Sequence, residues 1–191
     1  MKVIRFDKNI FDDFLENQLN GFLTKNENCL IIGIQEGGMP LAEIVKDYFL
    51  KKNIKTDLVG VKCQRPSTKA KKNNQVIKSL LQKILKASPI FLLNFLRNIE
   101  HSVLMRKKVN SIREVTFPHD IDFTKYNNIL IVDDAVDSGH SLQAVINHIK
   151  EKTSVDIYSM CVVVTNENTC IWPDFYLHSD VLIRFPWSLD G

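Results

Sequence analysis

Two adjacent carboxylates, Asp133 and Asp134, stand at the end of the apolar run Ile129-Leu130-Ile131-Val132. The loop Ala135-Val136-Asp137-Ser138-Gly139-His140-Ser141 follows them. Neighbouring acids suit a hydrated magnesium ion or the hydroxyls of a sugar. Leu142, Val145, Ile146 and Ile149 recur at helical spacing, so a helix opens where the loop ends. A helix start offers unpaired N–H donors and a positive dipole end, a natural seat for phosphate. Metal, sugar hydroxyls and phosphate in one stretch point to a phosphorylated ribose as ligand.

A second place for close backbone approach is Gln35-Glu36-Gly37-Gly38-Met39-Pro40. It lies between the buried-strand pattern Cys29–Ile34 and a helical stripe of Leu41, Ile44, Val45, Tyr48 and Phe49. Two glycines alone punctuate many tight turns, so this turn gains weight only beside the acid loop. Gln64–Asn74 is polar and basic, with Lys69, Lys71 and Lys72 close together, and reads as a surface loop.

These residues need elements to hold them. The periodicity predicts a packing helix over Asn9–Leu19 capped by Asn9, and strands over Asp57–Cys63, Ser111–Phe117 and Val155–Thr165. A helical pair is expected from Gln75 to Lys108, with Pro89 in the first turn of its second member. His101 in that stretch reads as a surface or packing residue. Strands alternating with helices imply right-handed crossovers and a mainly parallel sheet. Ligands of such sheets bind beyond the carboxyl ends of the strands, where both loops fall.

The chain has 191 residues and a net charge of +3, which fits one domain and gives no general case for nucleic-acid binding. Cys29, Cys63, Cys161 and Cys170 form no C-x-x-C pair, and three of them lie in apolar strand-like runs. No apolar run is long enough to span a bilayer and no signal peptide is evident, so a reducing, cytoplasmic setting is expected.

The run Ile129–Ser141 resembles the phosphoribosyl-pyrophosphate (PRPP) signature of the type I phosphoribosyltransferases. Gly33–Pro40 resembles that family's pyrophosphate loop. Asp180–Trp187 is similar to the C-terminal hood of bacterial and archaeal xanthine, guanine and hypoxanthine enzymes. The resemblance implies an α/β fold with a mainly parallel twisted sheet flanked by helices. It implies a single domain over 1–191 with a hood at about 166–191; the helical stretch at about 75–108 is not covered by the resemblance and reads as an insertion. It also implies magnesium as cofactor, PRPP and a nitrogenous base as ligands, and a homodimer or higher homo-oligomer.

On that resemblance, Asp133 and Asp134 bind the ribose hydroxyls, directly or through magnesium. Asp137, Ser138, Gly139, His140 and Ser141 wrap the 5-phosphate. Glu36, Gly37 and Gly38 line the pyrophosphate over a cis peptide, and Arg65 and Lys69 belong to a lid. Asp137 is also the catalytic residue placed near the base nitrogen, which favours purine-like acceptors, and Asn166, Phe185 and Trp187 frame the base pocket. Two positions depart from the family pattern. Glu36 stands where Lys or Arg is usual, and Asn166 stands where purine enzymes carry a lysine. These departures keep open transfer to a non-nucleobase acceptor, and a PRPP-binding regulator with little catalysis also stays open.

Overall fold

The computed structural model describes residues 2–23, 28–64 and 113–188. The expected lid residues Arg65 and Lys69, the basic run, the helical pair and His101 lie outside the described residues. The elements in chain order are β1 (Lys2–Arg5), α1 (Lys8–Leu23), β2 (Asn28–Gln35), α2 (Gly38–Lys51), β3 (Lys55–Gln64) and β4 (Glu114–Thr116). After a 3-10 turn at Phe123–Lys125 come β5 (Asn128–Val136), α3 (His140–Lys150), β6 (Asp156–Val164), β7 (Phe175–Ser179) and β8 (Val181–Arg184).

Six strands form one sheet in the order β4-β3-β2-β5-β6-β7, parallel throughout except for the short antiparallel β4. The continuous apolar runs of β2 and β5 suit the centre of this sheet, because both of their faces are covered. Alternate residues divide between those faces. Ile31, Leu130 and Val132 pack against Leu41, Val45 and Phe49 of α2 and Phe11, Leu15 and Leu19 of α1. Ile32, Ile129 and Ile131 pack against Leu142, Val145 and Ile149 of α3. Each helix buries one stripe and leaves its charged residues outside.

Three details differ from the sequence reading. Asp7, rather than Asn9, caps α1: its carboxylate accepts the N–H groups of Asn9 and Ile10 at 2.9 and 3.3 Å. The helix also runs on past Leu19 to Leu23. Finally, β1, which has no long apolar run, pairs in parallel with β8 as a separate two-stranded ribbon.

Candidate functional site

The sheet order reverses between β2 and β5. From β2 the chain passes through α2 to β3 on one side, and from β5 through α3 to β6 on the other. A crevice opens beyond the carboxyl ends of the strands at such a reversal. The double-glycine turn leaves β2 there, and the acid pair lies in the last part of β5. A β-carbon on Gly37 would overlap the Asp134 carboxylate. One on Gly38 would meet the Val132 carbonyl oxygen and come within 2.9 Å of the Asp133 Cα. Both positions therefore require glycine if the two loops are to meet, and the peptide bond Gln35–Glu36 just before them is cis, as the resemblance implies.

Asp133 and Asp134 are half-buried at this junction. Oδ1 of Asp133 accepts the Asp134 N–H at 3.0 Å, and Oδ1 of Asp134 accepts the Ala135 N–H at 2.8 Å. Burial pushes the Asp133 carboxyl well above the ordinary aspartate range, and the neighbouring Asp134 charge pushes it further. Burial likewise raises Asp134. Such a pair gains most from a bound cation. Among the described residues, no group of three or more His, Cys, Asp or Glu side chains assembles to hold a metal. Two adjacent hard carboxylates fit magnesium, which takes one or two such ligands and draws its other oxygens from phosphates and water.

The loop after β5 turns at Gly139, whose φ of 75° is left-handed and open to glycine at little cost. Gly139 then serves as the N-cap of α3, with its carbonyl accepting the Gln143 N–H at 2.9 Å. The first-turn N–H groups of α3 have no partner within the helix and no side-chain cap, so this helix start could receive a phosphate. Beside it lies a cleft of about 180 Å³ lined by Arg113, Asp133, Ala135, Val136, Asp137, Ser138, Gly139, Ser141 and Leu142. It brings together one acid of the pair, the exposed Asp137, and the hydroxyl-bearing Ser138 and Ser141. Arg113 was missed in the sequence. It precedes a three-residue edge strand, and the antiparallel pairing of β4 with β3 brings it to this cleft.

The remaining sequence-predicted residues are placed differently. Glu36 is exposed at the glycine turn. Asn166 uses its side-chain oxygen to accept the Asn168 N–H at 2.9 Å, so it is folded into its own loop and does not line the acid cleft. Phe185 is 4% exposed. It stacks on Trp187 at 5.2 Å, and Trp187 meets the Phe6 edge at 5.3 Å. The Phe185 and Trp187 rings both belong to the core cluster that includes Phe6 and Phe11 and are not among the residues lining the acid cleft. Thr169 and Cys170 instead crowd Gly139, and the Cys170 N–H donates to the Ser138 carbonyl at 3.1 Å.

No curated protein sequence is matched by this chain. Solved structures with a similar fold include the purine phosphoribosyltransferase of Pyrococcus horikoshii Ot3. It is 18% identical, with a TM-score of 0.59 over 98% of this chain and 95% of that one. The Helicobacter pylori xanthine-guanine-hypoxanthine phosphoribosyltransferase is 16% identical, with a TM-score of 0.60 over 99% and 94%. A Staphylococcus aureus hypoxanthine phosphoribosyltransferase is 7% identical, with a TM-score of 0.54 over 90% and 73%. At these identities the likeness is one of fold. The family model for the phosphoribosyl transferase domain matches residues 8–176, spanning both the glycine turn and the acid loop. With that match laid over a switch-point crevice holding an acid pair beside a helix start, the chain belongs to the phosphoribosyltransferase family.

Proposed function

We propose that this protein transfers the 5-phosphoribosyl group of PRPP to a nitrogenous, purine-like base and releases pyrophosphate. The observation that carries the reading is the meeting of Gly37 and Gly38 with Asp133 and Asp134, which sets two ligand-binding loops side by side. Donors from Ser138, Ser141 and the start of α3 hold the 5-phosphate, and Arg113 adds a cationic partner across the cleft. The glycine turn presents backbone to the pyrophosphate. Asp133 and Asp134 hold the ribose hydroxyls and are the residues that would hold magnesium, which supplies charge neutralisation for the departing pyrophosphate.

Bond breaking at the anomeric carbon builds positive charge on the ribose. The protein's part is to fix the phosphates, exclude water and place the incoming nitrogen in line. Asp137, exposed at the cleft edge, accepts or donates a proton at the base nitrogen. No covalent nucleophile is needed.

One observation favours a second reading of the acceptor. Asn166 spends its side-chain oxygen inside its own loop and brings no charge to a base, which supports an acceptor other than an ordinary 6-oxopurine. Both readings are tested by pyrophosphate release from PRPP and magnesium across a panel of purine, pyrimidine and non-nucleobase acceptors. Release with a purine-like base, greatly reduced in Asp137→Asn, supports the first reading. Release only with a non-nucleobase amine or amide supports the second. Tight PRPP binding without release for any acceptor sinks both in favour of a regulator.

A further inference from the structure

A thiol–imidazole pair borders the phosphate loop, and its thiol has no part in the reaction above. Cys170 is exposed, and its Sγ lies 3.3 Å from Nδ1 of His140, the first residue of α3. The backbone holds the pair in place. The Cys170 N–H donates to the Ser138 carbonyl at 3.1 Å, and a β-carbon on Gly139 would come within 3.1 Å of the same sulfur. With its own proton on Nε2, the His140 ring offers Nδ1 as an acceptor for the thiol proton.

The other three cysteines are poor competitors for an external reagent. Cys29 and Cys161 are fully buried. Burial pushes the Cys29 thiol up to about 12 and raises that of Cys161 as well. Cys63 is half-buried and lies 3.6 Å from the Ser141 carbonyl that accepts its thiol, and burial raises it too. Reactivity toward disulfides follows thiolate fraction and access, and Cys170 alone combines exposure with an adjacent imidazole.

We propose that Cys170 is a modification site, a nucleophilic thiol served by His140 that exchanges with low-molecular-weight disulfides and thereby blocks the phosphate loop. Nδ1 of His140 takes the thiol proton, and the Cys170 sulfur attacks one sulfur of the small disulfide. A new S–S bond forms as the old one breaks. The departing thiolate takes the proton back from His140 and leaves as a thiol. Cys170 is oxidised, half of the reagent is reduced, and excess small thiol reverses the step. An adduct on this sulfur must displace His140 or crowd Gly139, the residues that set the first turn of α3. The blocking rests on the PRPP reading, whereas the thiol reactivity does not.

The test treats the native full chain with 5,5′-dithiobis(2-nitrobenzoate), follows thiol release by absorbance and maps the adduct by peptide mass spectrometry. One fast thiol at Cys170 is expected, absent in Cys170→Ser. In His140→Asn, which keeps a hydrogen-bonding side chain but takes no proton, the fast phase should slow about tenfold or more. Titration after denaturation should count four thiols in the wild type and in His140→Asn, and three in Cys170→Ser. A fast thiol elsewhere, or an unchanged rate in His140→Asn with native circular dichroism, overturns the modification site. The blocking is read by PRPP binding before and after the adduct forms. Loss in the wild-type chain but not in Cys170→Ser supports it, and unchanged affinity of the adduct overturns it. Failure of the unmodified chain to bind PRPP at all strikes the functional reading and leaves the thiol result standing.

Discussion

The Gly37 Cα and the Asp134 carboxylate lie so close that a β-carbon on Gly37 would occupy the carboxylate's own space. This contact joins the turn after β2 to the end of β5 across the point where the sheet order reverses. Gly37→Ala must push the carboxylate or the turn aside. The expected result is a folded chain destabilised by about 1–3 kcal/mol, as for other overpacking changes, with PRPP binding lost. Urea denaturation and calorimetric titration check the two parts separately.

The acid pair makes stability depend on pH and on cation. Burial raises both carboxyls in the folded chain, so between the ordinary aspartate range and the raised range the folded state binds more protons than the unfolded. The pair's contribution is therefore full below about pH 4 and is lost as pH rises through the raised folded range. Without metal, the urea midpoint should fall over that window more steeply in the wild type than in the double variant Asp133→Asn, Asp134→Asn. Magnesium should flatten the difference. Identical slopes with and without the pair would contradict this.

Arg113 lines the same cleft as Ser138, Gly139 and Ser141. Arg113→Ala is expected to weaken PRPP binding by about ten- to a hundredfold, the scale of a lost charge-assisted contact, with Arg113→Lys intermediate. Salt titration of the affinity should show a shallower dependence in the alanine variant.

Asp174 provides a contrast, because it acts on the frame and not on the ligand. Its Oδ2 accepts the Ser159 N–H at 2.8 Å and the Ser159 hydroxyl at 2.7 Å, tying the approach to β7 onto β6. Ser159 is 2% exposed, so Asp174→Ala leaves buried donors without this partner and should cost about 1–3 kcal/mol. PRPP affinity, measured well below the melting range, should not change.

The parts legible in the sequence were those written in local pattern. The run Ile129–Val132 announced a central strand, Gly139 announced the turn after it, and the spacing of Leu142, Val145 and Ile149 announced the helix behind it. Arg113 was hidden, because nothing near it in sequence shows that β4 folds back on β3. The pairing of β1 with β8 joins the two ends of the chain and leaves no local trace. The rings of Phe185 and Trp187 pack on Phe6, a partner that only tertiary structure reveals. Asp7 and Asn9 are both good caps by type, and the backbone geometry chose between them.

The most direct measurement is calorimetric titration of PRPP into the wild-type chain and the Asp133→Asn, Asp134→Asn variant, each with and without magnesium. The result expected is saturable, magnesium-dependent binding by the wild type that the variant loses while keeping its native circular dichroism. Absence of binding by the wild type, or equal binding by the variant, would contradict the assignment of the switch-point crevice as a PRPP site.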